Sequence, residues 1–239
     1  MSHIPRIASE VNGLQHKLPD PGIDATRRRI SLGFAAVVLA ALPKRPLAEV
    51  KGVSMQSADK FARLSADPLI APGRLTLNYS VTNLADSEIF IFNRMYDDID
   101  GDGRYRVEKN VCNVEASAGQ VVVSKKIPGV PPFMFVESPN IPCVTPIPAH
   151  ATCSETFELQ LPLKPWTPYS TVPDPVRLDK LPLFLEIAYF VGQRGTRALG
   201  KEVPTTAGLA LRFAPFSIAS QTTLRAGPFA AVEVLVGKV

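Results

Sequence analysis

From about residue 73 onward apolar side chains recur at every second position, the spacing of a chain that folds as half-buried strands. Leu75, Leu77, Tyr79 and Val81 alternate with Thr76, Asn78 and Ser80. Phe157, Leu159, Leu161 and Leu163 alternate with Glu158, Gln160 and Pro162, and Leu183, Leu185, Ile187, Tyr189 and Val191 make the longest stripe. Further strands are predicted over 88–96, 105–115, 120–126, 208–213 and 229–236, with 83–87 as a turn. Ile89 to Phe92 is apolar on both faces and should therefore lie centrally in its sheet. One segment, 57–65, reads as helical, with Ser57 as its cap and Phe61 and Leu64 on one face.

Proline strengthens the case against long helices. The chain holds 23 prolines in 239 residues, and each removes a backbone donor and breaks a helix interior. Hydrophobic residues make up 46% and charged residues 20%, which is enough apolar material for a core. Short strands without βα alternation predict an all-β domain, a single antiparallel β-sandwich of immunoglobulin-like type. Two Pro-rich connections, 127–148 and 162–182, read as its long surface loops.

The first 48 residues read differently from the rest. They hold seven of the 26 Lys and Arg but three of the 22 acids, so 19 of each sign remain from Glu49 onward. A neutral body lacks the electropositive footprint of a nucleic-acid binder. Thr26-Arg27-Arg28-Arg29-Ile30-Ser31-Leu32 is followed by the apolar run Gly33 to Leu42 and then by Lys44-Arg45. This segment resembles a bacterial twin-arginine export signal, with Arg27 and Arg28 as the paired arginines. The run from Ile30 to Leu42 spans roughly 20 Å as a helix, against a hydrocarbon core of roughly 30 Å. A cleaved signal over 1–48 is therefore expected, with one β domain over 49–239 in the periplasm or outside the cell. Contact with a membrane is expected only through that signal.

Asp98-Ile99-Asp100-Gly101-Asp102-Gly103 places three acids at alternate positions before a glycine. It resembles the opening of an EF-hand calcium loop, which implies Asp98, Asp100, Asp102 and the Arg104 carbonyl as ligands for Ca²⁺. The resemblance stops at the twelfth position, where Lys109 stands in place of the bidentate Glu. The flanks are strands by periodicity, so an acidic hairpin turn is the competing reading.

Three cysteines are present, Cys112, Cys143 and Cys153. In an oxidising compartment, a Cys143–Cys153 disulfide across the short loop between them is the expected pairing, with Cys112 left free and buried. A rival reading joins all three to His150 as a zinc site, although the Cys143–His150–Cys153 spacing is not that of a compact knuckle. His3, His16 and His150 are the only histidines, so after processing one imidazole would have to serve any Ser–His or Cys–His mechanism. No G-x-S-x-G, phosphate-cradling or dinucleotide-binding glycine motif occurs.

Trp166 and Tyr169 stand on a Pro-stiffened segment and are candidate interface anchors, as is the apolar stretch Phe133 to Phe135. The competing reading folds Trp166 back over one end of the sandwich. Together these features predict an exported, non-enzymatic protein that binds or scaffolds another protein or an envelope component. Hydrolysis of a glycan or ester by paired carboxylates is the alternative.

Overall fold

The computed structural model describes residues 50–51, 53–117, 119–171 and 177–237. The expected signal segment over 1–48, including Arg27 and Arg28, lies outside them. The chain begins with β1 (Val50–Lys51), β2 (Met55–Ala58), β3 (Ala62–Ala71), β4 (Arg74–Asn83), β5 (Ile89–Arg94) and β6 (Tyr96–Ile99). It continues through β7 (Tyr105–Val107), β8 (Asn113–Ser117), β9 (Gln120–Lys125), β10 (Cys143–Ile147) and β11 (Thr152–Gln160). The remaining strands are β12 (Trp166–Thr167), β13 (Ser170–Thr171), β14 (Arg177–Val191), β15 (Lys201–Thr205), β16 (Gly208–Arg212) and β17 (Thr222–Val236). A single helical turn, α1 (Thr196–Leu199), and one 3₁₀ turn (Ile218–Ser220) complete the elements.

The strands form two sheets. The smaller runs β1-β3-β4-β11, with β2 beside β1 on the outer edge of β3. The larger runs β13-β12-β8-β9-β14-β5-β10-β16-β15-β7-β6, and β17 pairs with β14 from Arg177 to Tyr189. The all-β expectation holds. The antiparallel order does not hold throughout, because β9 runs parallel to β14 and β7 meets β15 in parallel register. A parallel neighbour needs a long crossover, and the chain that follows β9, which contains β10 to β13, provides it.

One core lies between the sheets. Leu64, Leu75, Leu77, Val81 and Phe157 of the smaller sheet pack with Ile91, Val123, Leu185, Ile187 and Val234 of the larger. Burying a side chain of this size contributes about 1.5–3 kcal/mol. A second cluster lies on the opposite face of the larger sheet, where Phe90 stacks on Phe190 at 4.9 Å and meets Phe213 edge-on at 5.2 Å. β5 thus sends Ile89 and Ile91 into one core and Phe90 and Phe92 into the other. Its two-sided apolar sequence is explained by that position.

The helix expected over 57–65 is instead the β2–β3 hairpin. Asp59 decides the local fold: its Oδ1 accepts the N–H groups of Phe61 and Ala62 at 2.8 and 2.9 Å, which closes a turn. Ala62, Leu64 and Ala66 then point inward with period two, and Arg63 points out. Two residues of helical spacing were too few to oppose sheet pairing along ten residues of β4. The strand expected over 105–115 is two, β7 and β8, and the loop expected over 127–148 contains β10, whose Pro146 sits opposite Phe90. β15, also unexpected, covers the edge of β16.

Two side chains tie the turns to the layers. Asn83 is wholly buried and donates to the carbonyls of Ser87, Ile147 and Pro148 while accepting the Ala85 N–H. Tyr189 of β14 donates to Asp59 Oδ2 at 2.6 Å, so the β2–β3 turn is held to the larger sheet.

Burial pushes the Tyr189 phenol well above its ordinary range, reinforced by its bond to Asp59. Burial raises Tyr79 likewise, with the Glu155 carboxylate adding to the effect. Phenols that ionise less readily in the folded chain stabilise it below the unfolded tyrosine value of about 10, and that stabilisation is lost as pH rises toward the folded values. The melting temperature should therefore fall steeply above about pH 10. The Tyr79→Phe, Tyr189→Phe double variant should show a shallower fall in the same calorimetric series.

Candidate functional site

The acidic loop joins β6 to β7, and its carboxylates are turned toward N–H groups. Asp100 Oδ1 accepts the backbone N–H groups of Asp102 and Arg104 at 3.0 and 2.9 Å. Asp100 Oδ2 and Asp102 Oδ2 accept the Arg104 guanidinium, each at 2.9 Å. The Arg104 carbonyl, the fourth expected ligand, accepts the Asp100 N–H at 3.0 Å. Arg106 lies 2.8 Å from Asp97 and 3.5 Å from Asp98. Gly103 takes φ +76°, the left-handed conformation that the tight turn requires. The backbone N–H of Arg104, with its side chain, holds the Asp100 carboxyl below its usual range. Among the described residues, no three His, Cys, Asp or Glu side chains converge as metal ligands.

The two Pro-rich segments meet at the β12–β13 hairpin. Trp166 and Tyr169 lie on the β12–β13 hairpin, where Trp166 pairs with Val114 of β8 and is half-buried. The Tyr169 hydroxyl accepts the backbone N–H of Asn140 at 2.7 Å, which fastens the hairpin to the end of the preceding loop. Asp97, Asn140, Trp166 and Tyr169 border one cavity of about 480 Å³. The base of the acidic hairpin therefore lies beside the aromatic one. On the preceding loop Phe133 and Phe135 are fully exposed and Met134 is 42% exposed.

The expected Cys143–Cys153 disulfide is not formed: all three cysteines are free. Cys143 lies on β10 of the larger sheet opposite Arg94, and Cys153 lies on β11 of the smaller sheet opposite Val81. Proximity in sequence placed them together, whereas strand pairing sends them to different layers. Burial pushes the Cys112 thiol up to about 12 and the Cys143 thiol up to about 11, so both are protonated at neutral pH. His150 is exposed and sits 3.2 Å from Asp86, whereas Cys112 and Cys143 are buried, so the zinc grouping is not assembled.

The most concentrated polar chemistry involves residues that the sequence reading did not single out. Lys125 of β9 is completely buried, and its ammonium donates to the Lys109 carbonyl at 2.8 Å, Glu155 Oε2 at 3.0 Å and the Asn93 carbonyl at 3.3 Å. Three donors meet three acceptors, so the charge is fully hydrogen-bonded. The same ammonium stands 4.7 Å above the Phe157 ring, and the Tyr79 hydroxyl donates to the same Glu155 oxygen. Burial lowers the Lys125 pKa, opposed by the Glu155 carboxylate.

This network borders a cleft of about 520 Å³, lined in part by Asn93, Arg94, Glu108, Lys109, Ser154 and Thr156. Alternation carried a usable signal, since Lys125 shares inward parity with Val121 and Val123, and Glu155 with Phe157. Which strands would face each other was not in that signal.

Comparison of the chain with family models, with curated proteins and with solved structures finds no match.

Calcium bound at Asp98, Asp100 and Asp102 must displace the Arg104 guanidinium from two carboxylates. Arg104→Ala should therefore bind calcium about tenfold more tightly than the unaltered chain in calorimetric titration, because charge-assisted bonds are released. Equal affinities would place any calcium site away from this loop.

Proposed function

We propose that this chain is an exported, non-enzymatic binding protein whose contact surface is the end where the two Pro-rich segments meet. The observation that carries the reading is the outward Phe133-Met134-Phe135 stretch, on a loop whose far end is tied to Tyr169 by the Asn140 N–H. Large apolar side chains held in water are stabilised when a partner covers them, and aromatic anchors on a proline-stiffened loop lose little entropy on binding. The partner is a protein or envelope component that presents an apolar surface. Trp166 and Tyr169 stiffen the platform beneath the loop, and calcium at the neighbouring acidic hairpin would rigidify it further. Export rests on the Arg27-Arg28 signal, and the facing sheets are read as one sandwich of immunoglobulin-like type.

Carboxylate-pair hydrolysis has less support. Glu155, the most buried acid bordering the larger cleft, is held by Lys125 and Tyr79, which leaves it poorly placed to move a proton or attack a substrate.

A photoreactive benzoylphenylalanine at position 133 of the full chain tests the reading in cells. Irradiation should give one discrete adduct in the fraction outside the cytoplasm, weakened severalfold by Phe135→Ser. Arg27→Lys with Arg28→Lys should hold the chain in the cytoplasm and abolish the adduct. An exported chain that gives only monomer on irradiation would refute the surface, and an unprocessed cytoplasmic chain would refute export.

A further inference from the structure

We propose that the cleft beside β11 binds a short free peptide in extended form, with its carboxylate on Arg94 and its ammonium near Glu108. This site is separate from the apolar loop.

The argument starts from the edge of the smaller sheet. β11 is its last strand, paired with β4 on one side only. The Ala151 carbonyl accepts the Asn83 N–H, so odd-numbered residues of β11 face β4. Even-numbered residues therefore direct their N–H and C=O groups away from it, as the antiparallel ladder requires. At Glu158 that outward N–H is taken by the Asn110 side chain at 3.0 Å, which closes the edge. Ser154 and Thr156 lie before this closure, and both border the cleft. Their backbone groups form a short open ladder of the kind that an added strand completes.

The opposite wall supplies the charges. Among the described residues, the Arg94 guanidinium makes one hydrogen bond, from Nε to Thr145 Oγ1 at 3.3 Å, and has no acidic partner within 4 Å. A half-buried guanidinium facing a cleft of this size is a ready partner for a carboxylate, which it can hold through two N–H groups. Next to it, Asn93 is 6% exposed, and its Oδ1 is buried without a hydrogen-bond partner. A buried amide oxygen without a donor is costly, and a small turn of the Asn93 amide toward the cleft it lines would let a peptide N–H supply one. Glu155 does not repel the carboxylate, because Lys125 neutralises it. Glu108, on the rim, forms no ion pair within 4 Å among the described residues, with Arg106 and Lys109 further off, and suits the ammonium. Closure at Glu158 limits the ligand to a few residues.

Trialanine tests the proposal by calorimetric titration of the purified full chain. It should bind saturably in the millimolar range or tighter. Trialanine amide and N-acetyl-trialanine should each bind about tenfold more weakly, since each loses one charge-assisted contact. Arg94→Gln should abolish the preference for acid over amide, and melting curves establish that the variant is folded. Ala207→Trp, on the exposed rim and away from both cores, should block all three ligands. Absence of saturable binding at about 10 mM would overturn the proposal, as would an acid preference that survives Arg94→Gln. N-acetyl-trialanine binding as tightly as trialanine would overturn the short-peptide assignment in favour of the tail of a longer chain.

Discussion

The buried ammonium of Lys125 is the interaction on which the arrangement of the layers turns. It sits on β9 of the larger sheet, yet its carboxylate partner, Glu155, belongs to β11 of the smaller one. Its other acceptors are the carbonyl of Asn93, on β5, and that of Lys109, beyond β7. One charge thus fixes two strands of one sheet, the edge of the other and the segment between β7 and β8. Replacing a buried ion pair with apolar groups is often neutral, but leaving one member alone costs about 3–5 kcal/mol. The pair therefore acts mainly against alternative registers: sliding β11 by one residue would put Glu155 on the outer face and leave Lys125 buried without its counter-charge.

The same network explains why a cleft is found where it is. A sheet edge in a packed protein is usually covered or paired, and among the described residues the outward backbone of β11 is bonded at Glu158, by Asn110. Lys125 and Tyr79 hold Glu155 at the cleft wall, which leaves Arg94 and Asn93 as the groups whose hydrogen-bonding capacity is unfilled. At the loop end the balance is different. Most polar groups there are paired, with Tyr169 accepting from the Asn140 N–H and two arginines neutralising the acidic hairpin, although Asn140 Oδ1 is buried without a partner, and the larger uncovered surface is apolar. The two regions therefore suit different ligands, a charged and hydrogen-bonding one in the cleft and an apolar surface at the loop.

Most of the strands could be read from alternating side-chain character, most clearly in β4, which has one buried and one partly exposed face, whereas β9 and the second half of β14 are buried on both. β4, β9 and the second half of β14 lie where period two places them. The reading failed where tertiary pairing outweighed local pattern. β10 has a proline and a cysteine in a Pro-rich stretch, and it becomes a strand because β5 and β16 offer it partners on both sides. Over 57–65 the Asp59 turn and the length of β4 override two apolar residues at helical spacing. Candidate site residues were legible only as local motifs. Asp98, Asp100 and Asp102 do form a tight turn with Gly103, but Arg104 and Arg106, ordinary residues in the sequence, take up their carboxylates.

By itself the sequence determined that this is an all-β chain, that β5 must be buried on both faces, and that the acidic stretch must turn at Gly103. Each of these follows from side chains within a few residues of one another, which respond to solvent and to local backbone sterics. Only the tertiary structure decided that Cys143 and Cys153 belong to separate sheets, that Lys125 meets Glu155, and that Arg94 faces the open edge of β11. Those relations join residues up to 62 positions apart, from Arg94 to Thr156. They depend on which strands pair and face one another, and a period-two pattern fixes the face of each strand without specifying its neighbour.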